Sequence, residues 1–141
     1  MNGGVGGKWQ RCCLSYFSFI LTRQALLLKK NGEIVGFLIG FLSQTDRNVA
    51  YIHFVGVHPK YRSKHIGKRL YQMFFQVAQK NNRNVIRAVT SPVNKVSIAF
   101  HTKIGFKIEK GDKEVDGVSV FSDYDGIDQD RVLFIKEIDL M

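Results

Sequence analysis

The chain has 141 residues, of which 45% are hydrophobic and 23% charged, with 13 glycines and two prolines. These values are typical of one globular domain and exclude a disordered or fibrous chain. The two cysteines are adjacent and cannot build a disulfide framework. The longest apolar stretch, residues 12–28, contains Arg23, so the composition indicates a reduced, cytoplasmic protein without a membrane segment.

The charge is unevenly distributed along the chain, whose formal net charge is +9. Residues 1–108 hold 17 basic and two acidic side chains, a balance of +15. Residues 109–130 hold eight acidic and two basic side chains, a balance of −6. The basic part suits a polyanionic ligand, either a nucleic acid or a phosphorylated cofactor. The acidic part suits a cationic second ligand or forms a solvated loop.

The N-terminal third predicts one helix followed by an antiparallel meander. Apolar residues at helical spacing predict a helix over about 10–22. Asn31-Gly32 is a strong signal for a two-residue hairpin turn. β-Forming residues predict strands on both sides of this turn and after the next one, at 24–30, 33–43 and 49–57.

The rest of the chain alternates helices and strands. Apolar spacing predicts a helix over about 66–80, and Asn94 is a plausible N-cap for a second helix that ends before Gly105. Short apolar runs predict further strands at 85–90, 106–108 and 131–138. The acidic residues 109–130 are expected to form a long hairpin arm. This order of elements predicts a mixed α/β sheet with helices on its faces.

The loop between strand 49–57 and helix 66–80 has the features of an anion site. The first amides of a helix lack intrahelical partners and lie at the positive end of its dipole. Gly67 would let a ligand approach this backbone closely. The alternative is a basic helix start that meets solvent. The basic side chains of the loop are Arg62, Lys64, Lys68 and Arg69.

Two motifs resemble those of a known family. The run VHPKYRSKHIGKRL at 57–70 resembles the pyrophosphate-binding signature Arg/Gln-x-x-Gly-x-Gly/Ala of the GNAT superfamily, the acyl-CoA-dependent N-acyltransferases. The residues from Asn94 to Phe106 are similar to Asn-x-x-(Ser/Ala)-x-x-Phe-Tyr-x-x-x-Gly-Phe, at the family's spacing. With the strand IVGF at 34–37, the resemblance covers about residues 24–137.

The resemblance implies a mixed, mostly antiparallel GNAT-type sheet with a central splay and helices on both faces. It implies one domain over 1–141, divided into an atypical N-terminal segment, a CoA-binding core, the acidic arm and a closing strand, at 1–23, 24–108, 109–130 and 131–138. The implied activity is transfer of acetyl from acetyl-CoA to a primary amine in a ternary complex. The residues implied to bind acetyl-CoA are Val55, Val57, Arg62, Ser63, Lys64, His65, Ile66, Gly67, Lys68, Asn94 and Ser97.

Catalytic roles follow from the same resemblance. The Val57 amide would face the thioester carbonyl as an oxyanion donor. The family's first glycine is His65 here, and its tyrosine acid is His101. An imidazolium at His101 would protonate the departing thiolate, and the alternative is an ordinary, partly exposed helix residue. Asn94, Ser97 and His101 would share one face of their helix.

An amine acceptor with a pKa of about 10.4 also needs a base at neutral pH. Tyr51, His53, Val55 and Val57 would share one face of their strand. His53 is similar in position to a catalytic histidine of the arylalkylamine N-acetyltransferase branch. We therefore expect His53 to act as the base through water, with a packed, hydrogen-bonded histidine as the alternative.

The acceptor is expected to lie near the acidic arm, which borders the acceptor pocket in the family. Tyr51, Tyr124 and Asp125 are the residues expected to bind a small-molecule or peptide amine. The run at 123–130 resembles a calcium loop only faintly, because its glycine and acids are out of register, and no metal is predicted.

Family members open with a strand and a helix, and few residues precede Gln24. We expect the first strand to be absent, so that 24–30 is a sheet edge covered by the N-terminal helix or by a second copy in a homodimer. Two other functions remain open. One is a degenerate module that binds acyl-CoA without transfer. The other is a nucleic-acid-binding domain, which has less support because surface aromatics do not interleave with the basic residues.

Overall fold

The computed structural model of the protein describes residues 18–21 and 25–139. These residues form a mixed α/β fold with mostly antiparallel strand pairs, as the sequence predicts. The strands are β1 Ser18–Leu21, β2 Ala25–Lys30, β3 Glu33–Leu42, β4 Val49–Val57, β5 Val85–Thr90, β6 Lys107–Ile108, β7 Lys113–Val115, β8 Val118–Val120 and β9 Val132–Glu137. The helices are α1 Ile66–Lys80 and α2 Lys95–Lys103, and a 3₁₀-helix covers Pro59–Lys64.

The chain forms two compact units. The first contains the described residues up to Phe41 together with Ile52–Val77, and its strand order is β1-β2-β3-β4. The second contains Leu42–Tyr51 and residues 78–139, with the strand order β5-β9-β6 and a separate β7-β8 pair. Neither α1 nor α2, the α-helices of the described part, is long and apolar enough to cross a membrane.

Two tight turns set the register of their hairpins. Asn31 and Gly32 have φ angles of 52° and 82°, which is the left-handed backbone of a type I′ turn. This confirms the predicted β2-β3 hairpin. Asp116 and Gly117, with φ angles of 51° and 80°, join β7 to β8 in the same way. The Asp-Gly signal was present in the sequence, and the prediction of the arm did not use it.

The N-terminal prediction is wrong where it can be compared with the structure. Residues 18–21 form β1, which pairs with β2 from Ser18↔Lys29 to Leu21↔Leu26, instead of continuing a helix. β2 is therefore not an uncovered edge. The unpaired backbone of an edge strand offers hydrogen bonds that a local helical preference does not outweigh. The remainder of the predicted helix, at 10–17 and 22, lies outside the described residues.

Helix α1 packs directly on β3 because a glycine leaves room for it. An added Cβ at Gly36 would lie 2.8 Å from Cγ2 of Ile66 and 3.1 Å from Cδ1 of Leu70. Ile66 and Leu70 are fully buried on the apolar face of α1. The sequence predicts this helix over the same residues, 66–80. The close packing fixes the N-terminal turn of α1 against the sheet of its own unit.

The core of the second unit is aromatic. Phe134 of β9 is fully buried, lies opposite Ala88 of β5, and has its ring centroid 6.4 Å from that of Phe106. Helix α2 begins at the predicted N-cap, since Asn94 Oδ1 accepts a hydrogen bond from the Ser97 amide at 3.1 Å. This cap sets the direction in which α2 leaves the loop after β5.

Candidate functional site

The connection from β4 to α1 is held by His58. Its amide donates to the Val35 carbonyl at 2.8 Å, and its own carbonyl accepts from the Tyr61 amide at 2.8 Å. Its Nδ1 accepts from the Lys60 amide at 3.2 Å and caps the 3₁₀-helix. Three hydrogen bonds on one residue therefore fix the path of the chain immediately after Val57.

The backbone then turns sharply into α1. His65 has φ 57° and ψ 29°, a left-handed conformation that costs an L-residue roughly 1–2 kcal/mol. The Arg69 amide donates to the His65 carbonyl at 3.1 Å. The amides of Ile66, Gly67 and Lys68 precede this bond, and such first-turn amides have no acceptor within their own helix. At the positive end of the helix dipole, these amides are candidate donors to an oxyanion.

Cationic side chains surround this turn. Arg62, Lys64 and Lys68 are exposed, and within residues 18–21 and 25–139 they take part in none of the ion pairs. The Nζ atoms of Lys30 and Lys64 lie 5.5 and 5.6 Å from the centroid of the Tyr61 ring, within cation–π range. Sequence reasoning missed Lys30 and Tyr61, although an aromatic residue inside the basic loop was an available signal.

Strand β4 is irregular at His53 and Phe54. Neighbours in a regular strand point to opposite faces, yet these two rings have centroids 4.2 Å apart. Both side chains are exposed, Phe54 by 58%. The expectation that Tyr51, His53, Val55 and Val57 share one face by simple alternation is therefore wrong, because the alternation breaks at this pair.

The hydrogen bonds at the two ends of the β3-β4 hairpin indicate the cause. One bond joins His58 to Val35, and another joins Ser43 to Val49. Between these two bonds the chain runs eight residues on the β3 side, from Val35 to Ser43. On the β4 side it runs nine residues, from Val49 to His58. One extra residue in one of two paired antiparallel strands forms a β-bulge. We therefore place a bulge in β4, and it re-aims the side chains of His53 and Phe54.

In the second unit, hydrogen bonds join the α2 residues that the sequence predicts to belong to the site. His101 is only 6% exposed, and its Nδ1 donates to the Ser97 carbonyl at 2.7 Å. Its ring stacks on Phe134 at 4.3 Å with an interplanar angle of 6°, and meets the edge of Phe106 at 5.2 Å. The alternative, an ordinary and partly exposed helix residue, is wrong, because the aromatic rings of this core cover the imidazole.

The surroundings of His101 favour its neutral form. Burial lowers the pKa of His101 below the ordinary 6.5, and the hydrogen bond to the Ser97 carbonyl offsets only part of this effect. The Nδ1 proton is the one donated to Ser97, so a neutral ring carries no proton on Nε2. An acid role for His101 would therefore need an imidazolium that this environment disfavours.

We expect the folded protein to lose stability as the pH falls below about 6.5. In the unfolded chain His101 binds its proton near that pH, whereas in the fold it binds one only at lower pH, so protonation favours unfolding. Urea unfolding between pH 7.5 and 5 should show this decline, and a His101→Phe variant should lose part of it. An equal decline in that variant would contradict a buried neutral His101.

Ion pairs hold the acidic arm, within the arm and to Arg131 directly after it. Asp125 accepts from Arg131 Nε at 2.7 Å, and Asp130 pairs with Lys113 at 3.1 Å. Tyr124 is 48% exposed beside them. In the described part of the chain no group of three or more His, Cys, Asp or Glu could hold a metal ion. Tyr124 and Asp125 are thus side by side on the surface, but the Asp125 carboxylate already has a cationic partner.

The predicted site residues thus fall into separate groups. In the first unit the strand residues His53, Val55 and Val57 lead into the loop residues 62–68, while Tyr51 belongs to the second unit. In the second unit Asn94, Ser97 and His101 form one hydrogen-bonded group on α2. Any proposed function must use residues of these two groups.

Comparisons with known proteins identify the family of the chain. The sequence model described as the Acetyltransferase (GNAT) family matches residues 5–106. An uncharacterized N-acetyltransferase of Methanocaldococcus jannaschii is 30% identical over 107 residues, 71% of this chain and 46% of that protein. L-2,4-diaminobutyric acid acetyltransferase of Halalkalibacterium halodurans is 28% identical over 79 residues, 56% of this chain and 42% of that protein. The chain spans about half the length of the curated relatives it matches.

A solved structure shows a similar fold. It comes from Bacillus anthracis strain Ames, is described as a streptothricin acetyltransferase in complex with acetyl coenzyme A, and has a TM-score of 0.68. It is 25% identical, and the match covers 85% of this chain and 67% of that chain. The family model covers well over half of the sequence, including the β4-α1 turn. The chain belongs to the GNAT acetyltransferase family.

Proposed function

We propose that the protein transfers an acetyl group from acetyl-CoA to a primary amine within a ternary complex. The observation that carries this proposal is the β4-α1 turn, where exposed cationic side chains flank the first amides of α1. Acetyl-CoA supplies an activated acetyl thioester and a diphosphate by which it is held. The family membership and the acetyl coenzyme A in the B. anthracis structure support this donor.

The turn suits a diphosphate in its charge and in the backbone donors that it offers. The amides of Ile66, Gly67 and Lys68 would donate to its oxygens, and Arg62 and Lys64 would contribute positive charge. The first turn of α1 contains no acidic residue that would repel an anion. Ile66 is fully buried, so its contribution would come from the backbone alone. Ser63 lies within the same turn.

The strand before the turn would position the reacting end of the donor. We assign the strand residues Val55 and Val57 to contact with the pantetheine arm, and the Val57 amide to donation toward the thioester carbonyl oxygen. Such a donor stabilises developing negative charge by about 3 kcal/mol. We also assign Asn94 and Ser97 to contact with the donor. This contact would be additional to the helix-cap hydrogen bond between the two residues.

His53 is our candidate for the base that accepts the amine proton through water. Its imidazole is exposed and beside the Phe54 ring, so both water and an acceptor can reach it. A positioned base typically contributes 10²–10⁴-fold to the rate. His101 remains the proposed acid, although its buried neutral ring makes this the weaker of the two assignments.

His53→Gln is expected to lower kcat/KM about 100-fold, because the amine proton loses its acceptor. The affinity for CoA should stay unchanged, since His53 precedes the turn. The defect should shrink as the pH rises toward the amine's own pKa, where the acceptor is already neutral. Initial rates from pH 6 to 10 would test this, and a defect that is constant across that range would contradict a base at His53.

His65→Gly is expected to tighten CoA binding about threefold while changing stability by less than about 1 kcal/mol. Glycine removes the left-handed strain and the Cβ beside the phosphates, but it adds freedom to the unfolded chain. Calorimetric titration with CoA and urea unfolding would measure both effects. Asn31→Gly, at a turn with a similar φ of 52°, is a matched control that should not alter CoA affinity.

For the acceptor, we propose a small-molecule or peptide amine that approaches the acidic arm. The arm's negative balance would attract a cation, and the exposed Tyr124 offers an aromatic face. Asp125 would have to share its carboxylate with Arg131. Tyr51, on β4, completes the residues that we assign to the acceptor.

The decisive assay follows thiol release from acetyl-CoA with a panel of primary amines, among them diamino acids, polyamines and peptides. Amine-dependent release would support transfer. CoA binding without release for any amine would favour a degenerate binding module, for which the buried His101 is the supporting observation. A melting temperature unaffected by acetyl-CoA but raised by RNA in a salt-sensitive way would contradict the proposal.

A further inference from the structure

The second unit contains an open cleft that none of the proposed roles uses. It has a volume of about 690 Å³, within the range of small-molecule sites. It lies between the β3-β4 turn and the connection from α1 to β5. Among the residues that the structure describes, no acidic side chain lines it. Its lining residues, which we call the arginine cleft, are Leu42, Ser43, Gln44, Arg47, Asn48, Asn81, Asn82 and Arg83.

One cation of the cleft is fixed in place. Arg83 donates from one nitrogen, Nη1, to the carbonyls of Ser43 and Asp46, both at 2.9 Å. Its own amide donates to the Ala78 carbonyl at the end of α1. Arg83 is thus held at its backbone and at one guanidinium nitrogen, so less side-chain entropy remains to be lost when a ligand binds.

The charge of this guanidinium has no carboxylate partner. Among the ion pairs of the described residues none includes Arg83 or Arg47. The acid nearest in sequence, Asp46, accepts from the Asn48 amide at 3.0 Å with its Oδ1. The Nε atom of Arg83 is buried without any hydrogen-bond acceptor, which is costly for a charged group. An anion in the cleft would supply the missing counter-charge, although it would not contact the buried Nε.

Hydrogen bonds at the neighbouring helix end reduce its opposition to an anion there. The carbonyls at a helix C-terminus carry partial negative charge. Here the Ala78 carbonyl accepts from the amides of Asn81 and Arg83, and the Gln79 carbonyl accepts from that of Asn82. The amide side chains of the lining can donate as well as accept, so they can surround an oxyanion.

We propose that the arginine cleft binds a small molecule through a phosphate group, with Arg83 as the fixed contact and Arg47 as the second cation. A dianionic phosphate is the group that two guanidiniums recognise best. This site is separate from the donor turn in sequence and in the residues that form it. It does not depend on the proposed acetyl transfer.

The test is a titration of the protein with inorganic phosphate, with amide chemical shifts read at Asn48 and Asn82. No CoA is added, because its own phosphate groups could enter the cleft, and the two amides already report on the cleft separately from the β4-α1 turn. We expect saturable shifts at both amides, a weaker response to acetate, and an affinity at least tenfold lower for Arg47→Gln. Arg83→Gln should lose binding as well, but it also removes the two bonds to the β3-β4 turn.

The control is Lys103→Gln, which removes the same charge from an exposed position on α2. It should leave the phosphate affinity unchanged. Shifts that are absent or non-saturable, equal responses to acetate and phosphate, or an unchanged affinity of Arg47→Gln would each overturn the proposal. Arg83 would then act only as a tie between the β3-β4 turn and the α1-β5 connection.

Discussion

Replacing Gly67 by Asp is expected to reduce CoA affinity about 100-fold or more without weakening the fold. The new carboxylate would lie in the first turn of α1, among the amides proposed to hold the diphosphate. Two like charges about 4 Å apart repel by about 4 kcal/mol at a protein surface, and screening reduces this toward 2–3 kcal/mol. Calorimetric titration with CoA would measure the loss.

The same substitution should stabilise the free protein by about 1 kcal/mol. Gly67 does not have a positive φ, so aspartate can adopt its conformation. A glycine inside a helix costs about 0.5–1 kcal/mol, and a carboxylate in the first turn interacts favourably with the dipole. Gly67→Ala is the matched control, with similar stability and a much smaller loss of affinity. Equal CoA affinity in the aspartate and wild-type proteins would contradict our placement of the diphosphate.

Phe134→Ala is expected to cost about 3–5 kcal/mol of the free energy of unfolding. The ring is fully buried and stacks on His101, so its removal leaves a cavity that the surrounding strands cannot fill. For a chain of this length the loss corresponds to a fall in Tm of roughly 10–17 °C. Thermal unfolding followed by circular dichroism would measure it.

Ile135→Ala provides the comparison, because the neighbouring Ile135 is only half-buried on the same strand. Its Tm should fall by clearly less than that of Phe134→Ala. A Phe134→Leu variant should recover a large part of the loss, since it refills most of the volume. Equal effects of the two alanine variants would show that Phe134 is not the centre of this core.

The sequence predicted those elements whose signals are local. Helix α1 and strands β4 and β5 have the predicted bounds, because each combines a clear hydrophobic period with a terminating turn. Asn94 caps α2 as expected, since the side-chain oxygen that satisfies the first amides is read directly from the residue type. The β4-α1 turn could likewise be located from its basic residues and Gly67.

Features that depend on tertiary contacts were not predictable in this way. The pairing of β1 with β2 depends on a partner strand and overrides a weak helical pattern. The bulge at His53 and Phe54 comes from one extra residue relative to β3, which no property of β4 alone reveals. The burial of His101 results from Phe134, a residue far along the chain.

The central claim is that the first amides of α1 hold the diphosphate of CoA. The most direct test is to titrate ¹⁵N-labelled protein with CoA and, separately, with pantetheine, which lacks the diphosphate. We predict that CoA moves the amide resonances of Ile66, Gly67 and Lys68 more than any others, and that pantetheine does not move them. Unchanged resonances at these three amides under saturating CoA would contradict the account.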